Sequence, residues 1–323
     1  MNNKDFKIYL SKIKEEQEIS ITEDLIEKDY ILSLFLSNWA KENTPNLDKL
    51  IFKGGTLLTK NYLKYHRISE DLDFIHQDSN IIRKIKTKRI ETEIKNRIIS
   101  IINEIDKIAK ISKLDFQNDR NNTKYIIQRN SRSLYIINLY YISQITKKED
   151  KIKFEISFVE DLINLPQREE INNIIDFKIK NLELLKKIIN YDLEKPILQI
   201  YSIEEIILEK IRATITREQF KPRDVFDLYL IDKKNNIFNQ KKEDIFQKLK
   251  SSPFEFEKTI NNIQNFINEE IIVDLDDIYN LSLIKFDQMD FFNFTNKLIK
   301  YLKQIAEEFL ENLKDIIEDS KQI

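Results

Sequence analysis

Two aspartates at alternate positions carry the clearest chemical signal in this sequence. Asp71 and Asp73 lie in the segment DLDFI, whose alternation of polar and apolar residues predicts a β-strand with both carboxylates on one face. Leu72 and Phe74 would then point to the opposite face, into a hydrophobic core. Two carboxylates on one strand face repel each other unless a cation joins them. The spacing therefore favours a divalent metal site over the simpler interpretation, a solvated acidic strand end.

A pair of adjacent glycines precedes these aspartates. Gly54 and Gly55 are the only glycines in the chain, so we expect them where the backbone needs a positive φ or approaches a ligand closely. The four residues before them predict a strand, and the residues from Thr56 onward have helical spacing. A strand-to-helix turn leaves backbone N–H groups unpaired at the start of the helix. Such a turn can bind phosphate, although the tripeptide alone is a weak signal.

A third carboxylate has two candidates. Residues 151–159 predict a strand on which Phe154 and Ile156 face the core, so that Glu155 faces the other way and could complete the metal site. An ordinary amphipathic strand explains the same pattern. Asp115, in the segment KLDFQ, is the competing third carboxylate.

A further motif lies in the second half of the chain. Ser202 and Glu205 have the spacing of a capping box, which predicts the start of a helix. Lys210 and Arg217 are seven residues apart and therefore share one face of that helix. Two cations on one face suit a triphosphate, and Asp224 could orient either of them or touch the nucleotide. A salt-bridged pair of helices is the simpler explanation of the same residues.

Composition narrows the kinds of metal and partner. The 323 residues include no cysteine and only two histidines, which excludes zinc–thiolate sites and multi-histidine cages. Oxygen ligands remain, and these favour Mg²⁺ or Mn²⁺. A formal net charge of -2 gives no case for a general nucleic-acid coat protein. The charged N-terminus has no apolar signal core, and no stretch is apolar enough to span a membrane, so we expect a cytoplasmic protein.

The distribution of patterns predicts an α+β fold in two domains. Helices are expected at residues 22–43 and 80–110, and further strands at 113–118, 124–129, 133–141 and 151–159. Beyond about residue 168 the chain has helical spacing throughout, apart from a short strand at 197–201. We therefore expect a sheet domain at 1–165, with a mixed or antiparallel sheet, and a helical domain at 166–323.

Together the motifs resemble the AbiEii/AbiGii family of toxin nucleotidyltransferases, which includes the MenT-type toxins. The first family pattern is Gly-Gly-Thr, a lysine, a tyrosine, and then Arg-aromatic-Ser-Glu-Asp-Ile-Asp. Its counterparts here are Gly54, Gly55, Thr56, Lys60, Tyr62 and Arg67 to Asp73, with Ile68 in place of the aromatic residue. The second pattern, Lys-x-x-Ala-x-x-x-Arg and then Arg-Asp-x-x-Asp-Leu-Tyr, has as its counterparts Lys210, Ala213, Arg217, Arg223, Asp224, Asp227, Leu228 and Tyr229.

This resemblance implies a polymerase-β-like nucleotidyltransferase domain that uses Mg²⁺ and a nucleoside triphosphate. Metal ligands would be Asp71, Asp73 and Glu155, and the catalytic set would add Lys210 and Asp224. The nucleotide-binding set would be Lys53, Gly54, Gly55, Thr56, Arg67, Ser69, Lys210 and Arg217.

The resemblance also implies a toxin role, with a cognate antitoxin, in growth arrest or abortive phage infection. The favoured acceptor is RNA, with a tRNA 3′ end foremost, and the basic stretch at residues 83–97 supports RNA weakly. Transfer to a protein side chain, and a non-catalytic nucleotide-binding or partner-binding module, are the alternatives.

Overall fold

A computed structural model of the chain describes residues 3–16, 22–82, 84, 87–129, 133–178, 181–188, 193–250 and 256–321. The helices are α1 (Asn3–Glu16), α2 (Glu23–Lys41), α3 (Gly54–Leu57), α4 (Ser79–Ile82), α5 (Thr87–Ile111), α6 (Ile174–Lys178), α7 (Leu182–Ile188), α8 (Ile203–Thr216), α9 (Pro222–Asp232), α10 (Lys242–Leu249), α11 (Phe256–Asn268), α12 (Leu275–Leu281) and α13 (Gln288–Lys321). The strands are β1 (Leu50–Lys53), β2 (Asp71–His76), β3 (Ile126–Arg129), β4 (Leu134–Ile142), β5 (Glu149–Ser157), β6 (Gln167–Glu170) and β7 (Ile197–Ile200).

The chain divides into two compact units. The first, the sheet unit, consists of Met1–Glu160, Leu165–Ser202 and Ser282–Ile284. The second, the helical unit, consists of Asp161–Asn164, Ile203–Leu281 and Lys285–Ile323. The main division thus falls after Ser202 and not after residue 165, because β6 and β7 pair with each other and β7 also pairs with β1.

All described strands form one sheet in the order β3-β4-β5-β2-β1-β7-β6. The β2–β5 and β1–β7 pairs are parallel, and the remaining pairs are antiparallel. The predicted α+β class with a mixed sheet is therefore confirmed. Residues 113–118, predicted as a strand, contribute only an isolated bridge between Asp115 and Tyr140. The sequence did not predict β6, because all its residues are exposed and it lacks the apolar alternation of a half-buried strand.

Aromatic packing fixes which face of the sheet is buried. The ring of Phe74 lies 4.6 Å from Phe154, 5.0 Å from Phe52 and 5.4 Å from Trp39 of α2, measured between centroids. A register slip by one residue would move these rings to the other face and lose their burial. Because side chains alternate along a strand, this core determines that Asp73 and its neighbours at alternate positions lie on the other face.

The helix that follows the glycine pair differs from the predicted one. It begins at Gly54 rather than at Thr56, as α3, and continues as a π-helical turn, Leu58–Tyr62. Lys60 in this turn is fully buried, and its ammonium contacts the Asp29 carboxylate of α2 at 2.7 Å and the Tyr65 hydroxyl at 2.7 Å. Tyr65 itself has a left-handed φ of 58°. Lys60 therefore ties α2 to the connection that leads into β2.

His76, the last residue of β2, is buried, and its burial makes the stability of the protein depend on pH. Burial lowers the pKa of His76 to about 4, so the ring is neutral in the folded protein, and its Nδ1 accepts a hydrogen bond from the backbone N–H of Asp78. The unfolded chain binds the extra proton below about pH 6.5. Stability is therefore lost as pH falls from about 6.5 towards 4, by about 3 kcal/mol from this group.

His76→Asn keeps an acceptor near the Nδ1 position but does not titrate. We expect the free energy of unfolding of this variant, measured by urea denaturation, to fall less steeply than that of wild type between pH 6.5 and 4.5. Parallel pH profiles for the two proteins would contradict the neutral, buried assignment of His76.

Among the described residues, no helix has both the length and the apolar composition needed to cross a membrane.

Candidate active site

Three carboxylates lie together on one face of the sheet. Asp71 and Asp73 belong to β2, and Glu155 belongs to the neighbouring parallel strand β5, where it is the register partner of Asp73. The predicted same-face arrangement of the two aspartates follows from the strand alternation. The position of Glu155 follows from the pairing of β2 with β5, which brings together residues far apart in the sequence.

The electrostatics of this face favour a bound cation. Burial, with a further contribution from the Glu155 carboxylate, raises the pKa of Asp73 to about 7 against the opposing effect of the Lys53 ammonium. Burial also raises the pKa of Asp71, against the lowering effect of the Lys153 ammonium. Burial is the main cause of both raised pKa values, and a bound cation would lower them by stabilising the charged carboxylates.

The chemistry of these donors fits a hard divalent cation, since every one is a carboxylate oxygen. Within the described ranges, however, no three acidic, histidine or cysteine side chains are arranged as a metal cage. The side chain of Lys153 lies among them, with its ammonium 3.8 Å from Asp71 Oδ2 and in an ion pair with Glu155. Lys153 has the same alternation as Glu155 in the sequence, but an ammonium is not a metal ligand and the pattern alone predicts no role for it.

Asp115 lies elsewhere. It forms a β-bridge with Tyr140 on the β3 side of β4, and its carboxylate accepts a hydrogen bond of 2.7 Å from the Tyr125 hydroxyl. Strands β4 and β5 thus separate Asp115 from β2. Of the two candidates for a third carboxylate, the structure places Glu155, and not Asp115, beside Asp73.

The glycine pair has a steric explanation. Gly54 has a φ of 78°, as its residue type suggested, and a Cβ added there would lie 2.2 Å from Asp73 Oδ2. A Cβ added at Gly55 would lie 2.7 Å from an Arg67 guanidinium nitrogen and 2.9 Å from Ser69 Oγ. The turn therefore packs directly against the segment that carries Arg67, Ser69 and Asp73.

Two further residues of the predicted nucleotide-binding set border this turn. The Thr56 hydroxyl bonds to Ser69 Oγ at 2.9 Å and to the carbonyl oxygen of Asp71. Lys53, the last residue of β1, is the register partner of Asp73 and forms an ion pair with Glu160. The sequence gives no signal for Glu160, because nothing in its local pattern distinguishes it from the many other acidic residues of the chain.

The two glycines differ in how well they should tolerate a methyl group. Gly54→Ala requires a strained left-handed φ and displacement of Asp73, whereas Gly55→Ala meets only the ends of flexible side chains. We expect Gly54→Ala to lose activity at least about tenfold more than Gly55→Ala, because a shift of about 1 Å at a reacting group costs about a hundredfold. Transfer assays on both variants, with circular dichroism as a folding control, measure this. Equal activities would contradict the close packing of Gly54 on Asp73.

The helical unit contains the second predicted cluster. The Lys210 ammonium of α8 lies 2.7 Å from Asp224 Oδ1 and 2.6 Å from Asp227 Oδ2, both on α9, and Arg217 also pairs with Asp224. Lys210, Asp224 and Asp227 are buried, whereas the Arg217 side chain is 36% exposed. The salt-bridged pair of helices that the sequence offered as the simpler explanation is present.

Glu205, the acidic residue of the predicted capping box, also has partners outside its own helix. Helix α8 does begin at Ile203, as expected. The Glu205 carboxylate accepts hydrogen bonds from the backbone N–H groups of Ile163 and Asn164 and pairs with Lys248 at 2.5 Å. It therefore joins residues 161–164 to helices α8 and α10 of the same unit.

Comparison with known families decides the identification. The sequence matches the family described as "Nucleotidyl transferase AbiEii toxin, Type IV TA system" over residues 40–294. The chain belongs to this AbiEii family. The predicted resemblance is thus confirmed, as is the assignment of the α+β fold to nucleotidyltransferases.

Solved structures also align with most of the AbiEii chain. JHP933 from Helicobacter pylori is 17% identical, with 94% of this chain and 99% of that chain covered and a TM-score of 0.42. MenT4, a nucleotidyltransferase toxin from Mycobacterium tuberculosis H37Rv, is 13% identical, with 92% of each chain covered and a TM-score of 0.46. The search of curated proteins found no match.

Proposed function

We propose that this AbiEii protein transfers a nucleotide from a nucleoside triphosphate to an RNA acceptor, with a tRNA 3′ end as the favoured acceptor. The observation that carries the proposal is the carboxylate face: Asp71, Asp73 and Glu155 lie together beside the turn formed by the glycine pair. Family membership makes the chain a toxin-type nucleotidyltransferase that acts on a nucleoside triphosphate. The acceptor, the metal and the residue roles are the proposed parts.

The proposed metal is Mg²⁺ or Mn²⁺, held by Asp71, Asp73 and Glu155. Such a cation would lower the pKa of the acceptor hydroxyl and offset the charge of the leaving pyrophosphate. Gly54 contributes to the geometry of the site, because the absence of a side chain there allows the Asp73 carboxylate to pack against the turn. Exchange of either aspartate for an uncharged residue would remove the negative charge that attracts the cation.

The phosphates have candidate partners in the sheet unit. Backbone N–H groups of residues 54–56 lie at the start of α3, and Ser69 and Arg67 lie against the same turn. Lys53 adds a positive charge at the end of β1. This combination of backbone donors and cations suits a triphosphate.

A role in binding and orienting the triphosphate is also proposed for Lys210, Arg217 and Asp224, the residues of the second sequence motif. Asp224 contacts both cations and can fix their positions. Of the two cations, Arg217 has the greater exposure, so it is the better candidate for a direct phosphate contact.

An RNA acceptor, an antitoxin partner and action in growth arrest or phage defence complete the proposal. In the basic stretch at residues 83–97, Arg83, Ile85 and Lys86 lie outside the described residues. Arg97, at its end, pairs with Asp78 and Glu93, which is typical of a solvated helix face. This stretch therefore adds little support for an RNA acceptor.

Labelled nucleotides distinguish the possible acceptors. The protein is incubated with each of the four α-labelled nucleoside triphosphates, Mg²⁺, total RNA and total protein, and the two fractions are then separated. We expect label in RNA of tRNA length, removable by a nuclease specific for RNA. Label in protein alone would replace RNA with a protein acceptor, and no label in either fraction would contradict nucleotide transfer.

A further inference from the structure

Lys153 places a positive charge of the protein among the proposed metal ligands. It lies on β5 as the register partner of Asp71 and two residues before Glu155, so its side chain shares their face of the sheet. Its ammonium is 3.8 Å from Asp71 Oδ2 and forms an ion pair with Glu155. The Lys153 side chain remains 33% exposed, so it has room to move towards solvent.

We infer that Lys153 is an internal counter-cation that competes with the divalent metal and thereby sets the metal affinity of the site. The inference rests on the proposed metal-dependent function. A cation that joins Asp71 to Glu155 must share these carboxylates with the ammonium or displace it. The protein thus partly neutralises its own acidic face, and a metal must compete with the lysine for these carboxylates.

The chemistry of lysine suits such a displaceable cation. An ammonium is a compact charge on a flexible four-carbon stem, without the fixed fork that holds an arginine to a carboxylate. Partly exposed ion pairs contribute little to stability, because solvent screens them and holding the side chain costs rotamer entropy. Displacement of Lys153 into solvent therefore costs the protein little stability. The competition between Lys153 and the metal depends mainly on the charge of the ammonium.

The size of the effect follows from Coulomb's law. Even with the dielectric constant of water, a unit charge about 4 Å from a divalent cation weakens binding by about thirtyfold. Because the freed side chain can move away from the metal, we expect the charge of Lys153 to weaken metal binding by at least about tenfold. Removal of the charge should tighten metal binding, and an exposed lysine further along the strand should matter much less.

Calorimetric titration of the full chain with Mn²⁺ tests the inference. We expect Lys153→Gln to bind Mn²⁺ at least about tenfold more tightly than wild type. Lys151→Gln is the matched control, because Lys151 is exposed and lies on the same face of β5, two residues away. This control should stay within about twofold of wild type. The charge-preserving Lys153→Arg should bind Mn²⁺ no more tightly than wild type, because its guanidinium holds carboxylates at least as firmly as the ammonium does.

Thermal melting supplies a readout independent of catalysis. In chelator, Lys153→Gln should melt slightly earlier than wild type, because the carboxylates lose their internal counter-cation, and Mn²⁺ should raise its melting temperature more than that of wild type. Unchanged or weaker Mn²⁺ binding by Lys153→Gln, with clear binding by wild type, would overturn the role of Lys153 and leave the proposed function standing. Absence of Mn²⁺ binding in both proteins would overturn the inference together with the proposed metal site.

Discussion

Asp73→Asn should abolish nucleotide transfer and any toxicity, while the fold stays intact or becomes slightly more stable. The carboxylate of Asp73 lies beside those of Glu155 and Asp71, and burial, together with this crowding, raises its pKa to about 7. An isosteric amide removes the repulsion and also removes a proposed metal ligand. Folding does not need the charge, because the core contacts of β2 belong to Leu72 and Phe74.

The expected loss of transfer is at least about 10²–10³-fold, the range seen when one group that stabilises transition-state charge is removed. Asp115→Asn is the matched control, since Asp115 is half-exposed and lies beyond β4 and β5 from this site. Transfer assays and thermal melting in chelator, on wild type and both variants, measure the two effects. A variant at position 73 that melts much earlier, or that keeps normal activity, would refute its role as a metal ligand.

Lys210→Ala should cost about 3–5 kcal/mol of folding free energy, the penalty for removing one partner of a buried ion pair. Its ammonium lies between the carboxylates of Asp224 and Asp227, and both aspartates are buried. Removal of the lysine leaves Asp227 as a buried charge without this partner. A loss below about 1 kcal/mol in urea denaturation would mean that the pair contributes no more than an exposed one.

Arg217→Ala is the informative companion. Its side chain is 36% exposed and Asp224 keeps its bond to Lys210, so we expect a stability loss below about 1 kcal/mol. If Arg217 contacts the outer phosphates, this variant should weaken triphosphate binding by about 1.5–3 kcal/mol more than monophosphate binding. Equal weakening of both ligands would leave Arg217 with a structural role only.

Local alternation in the sequence was sufficient to predict the paired aspartates. Burial of Leu72 and Phe74 determines that Asp71 and Asp73 share the opposite face, and this needs no knowledge of the rest of the sheet. The neighbour relation between Asp73 and Glu155 is different, because it depends on parallel pairing between distant strands. The sequence therefore left Glu155 and Asp115 as alternatives.

Dependence on distant residues and on burial also explains the features that the sequence predicted wrongly or did not predict. Asp115 lies in a segment with strand composition, but only one residue of that segment bridges to β4. In β6, exposure of every residue removed the hydrophobic signal. The spacing of Lys210 and Arg217 predicted a common helix face, yet spacing cannot show which carboxylates a cation contacts. The sequence offered Asp224 as a partner of either cation, and the packing of α8 on α9 shows that Asp224 contacts both and that Asp227 also contacts Lys210.

The dependence of nucleotide binding on a divalent cation tests the central claim most directly. A nucleoside triphosphate is titrated into the wild-type protein by calorimetry, once with Mg²⁺ or Mn²⁺ and once with excess chelator. The carboxylate face formed by Asp71, Asp73 and Glu155 repels a triphosphate unless a cation lies between them. We therefore predict measurable binding with the cation and at least about tenfold weaker binding in chelator. Equal affinity in the two conditions would contradict the proposed site.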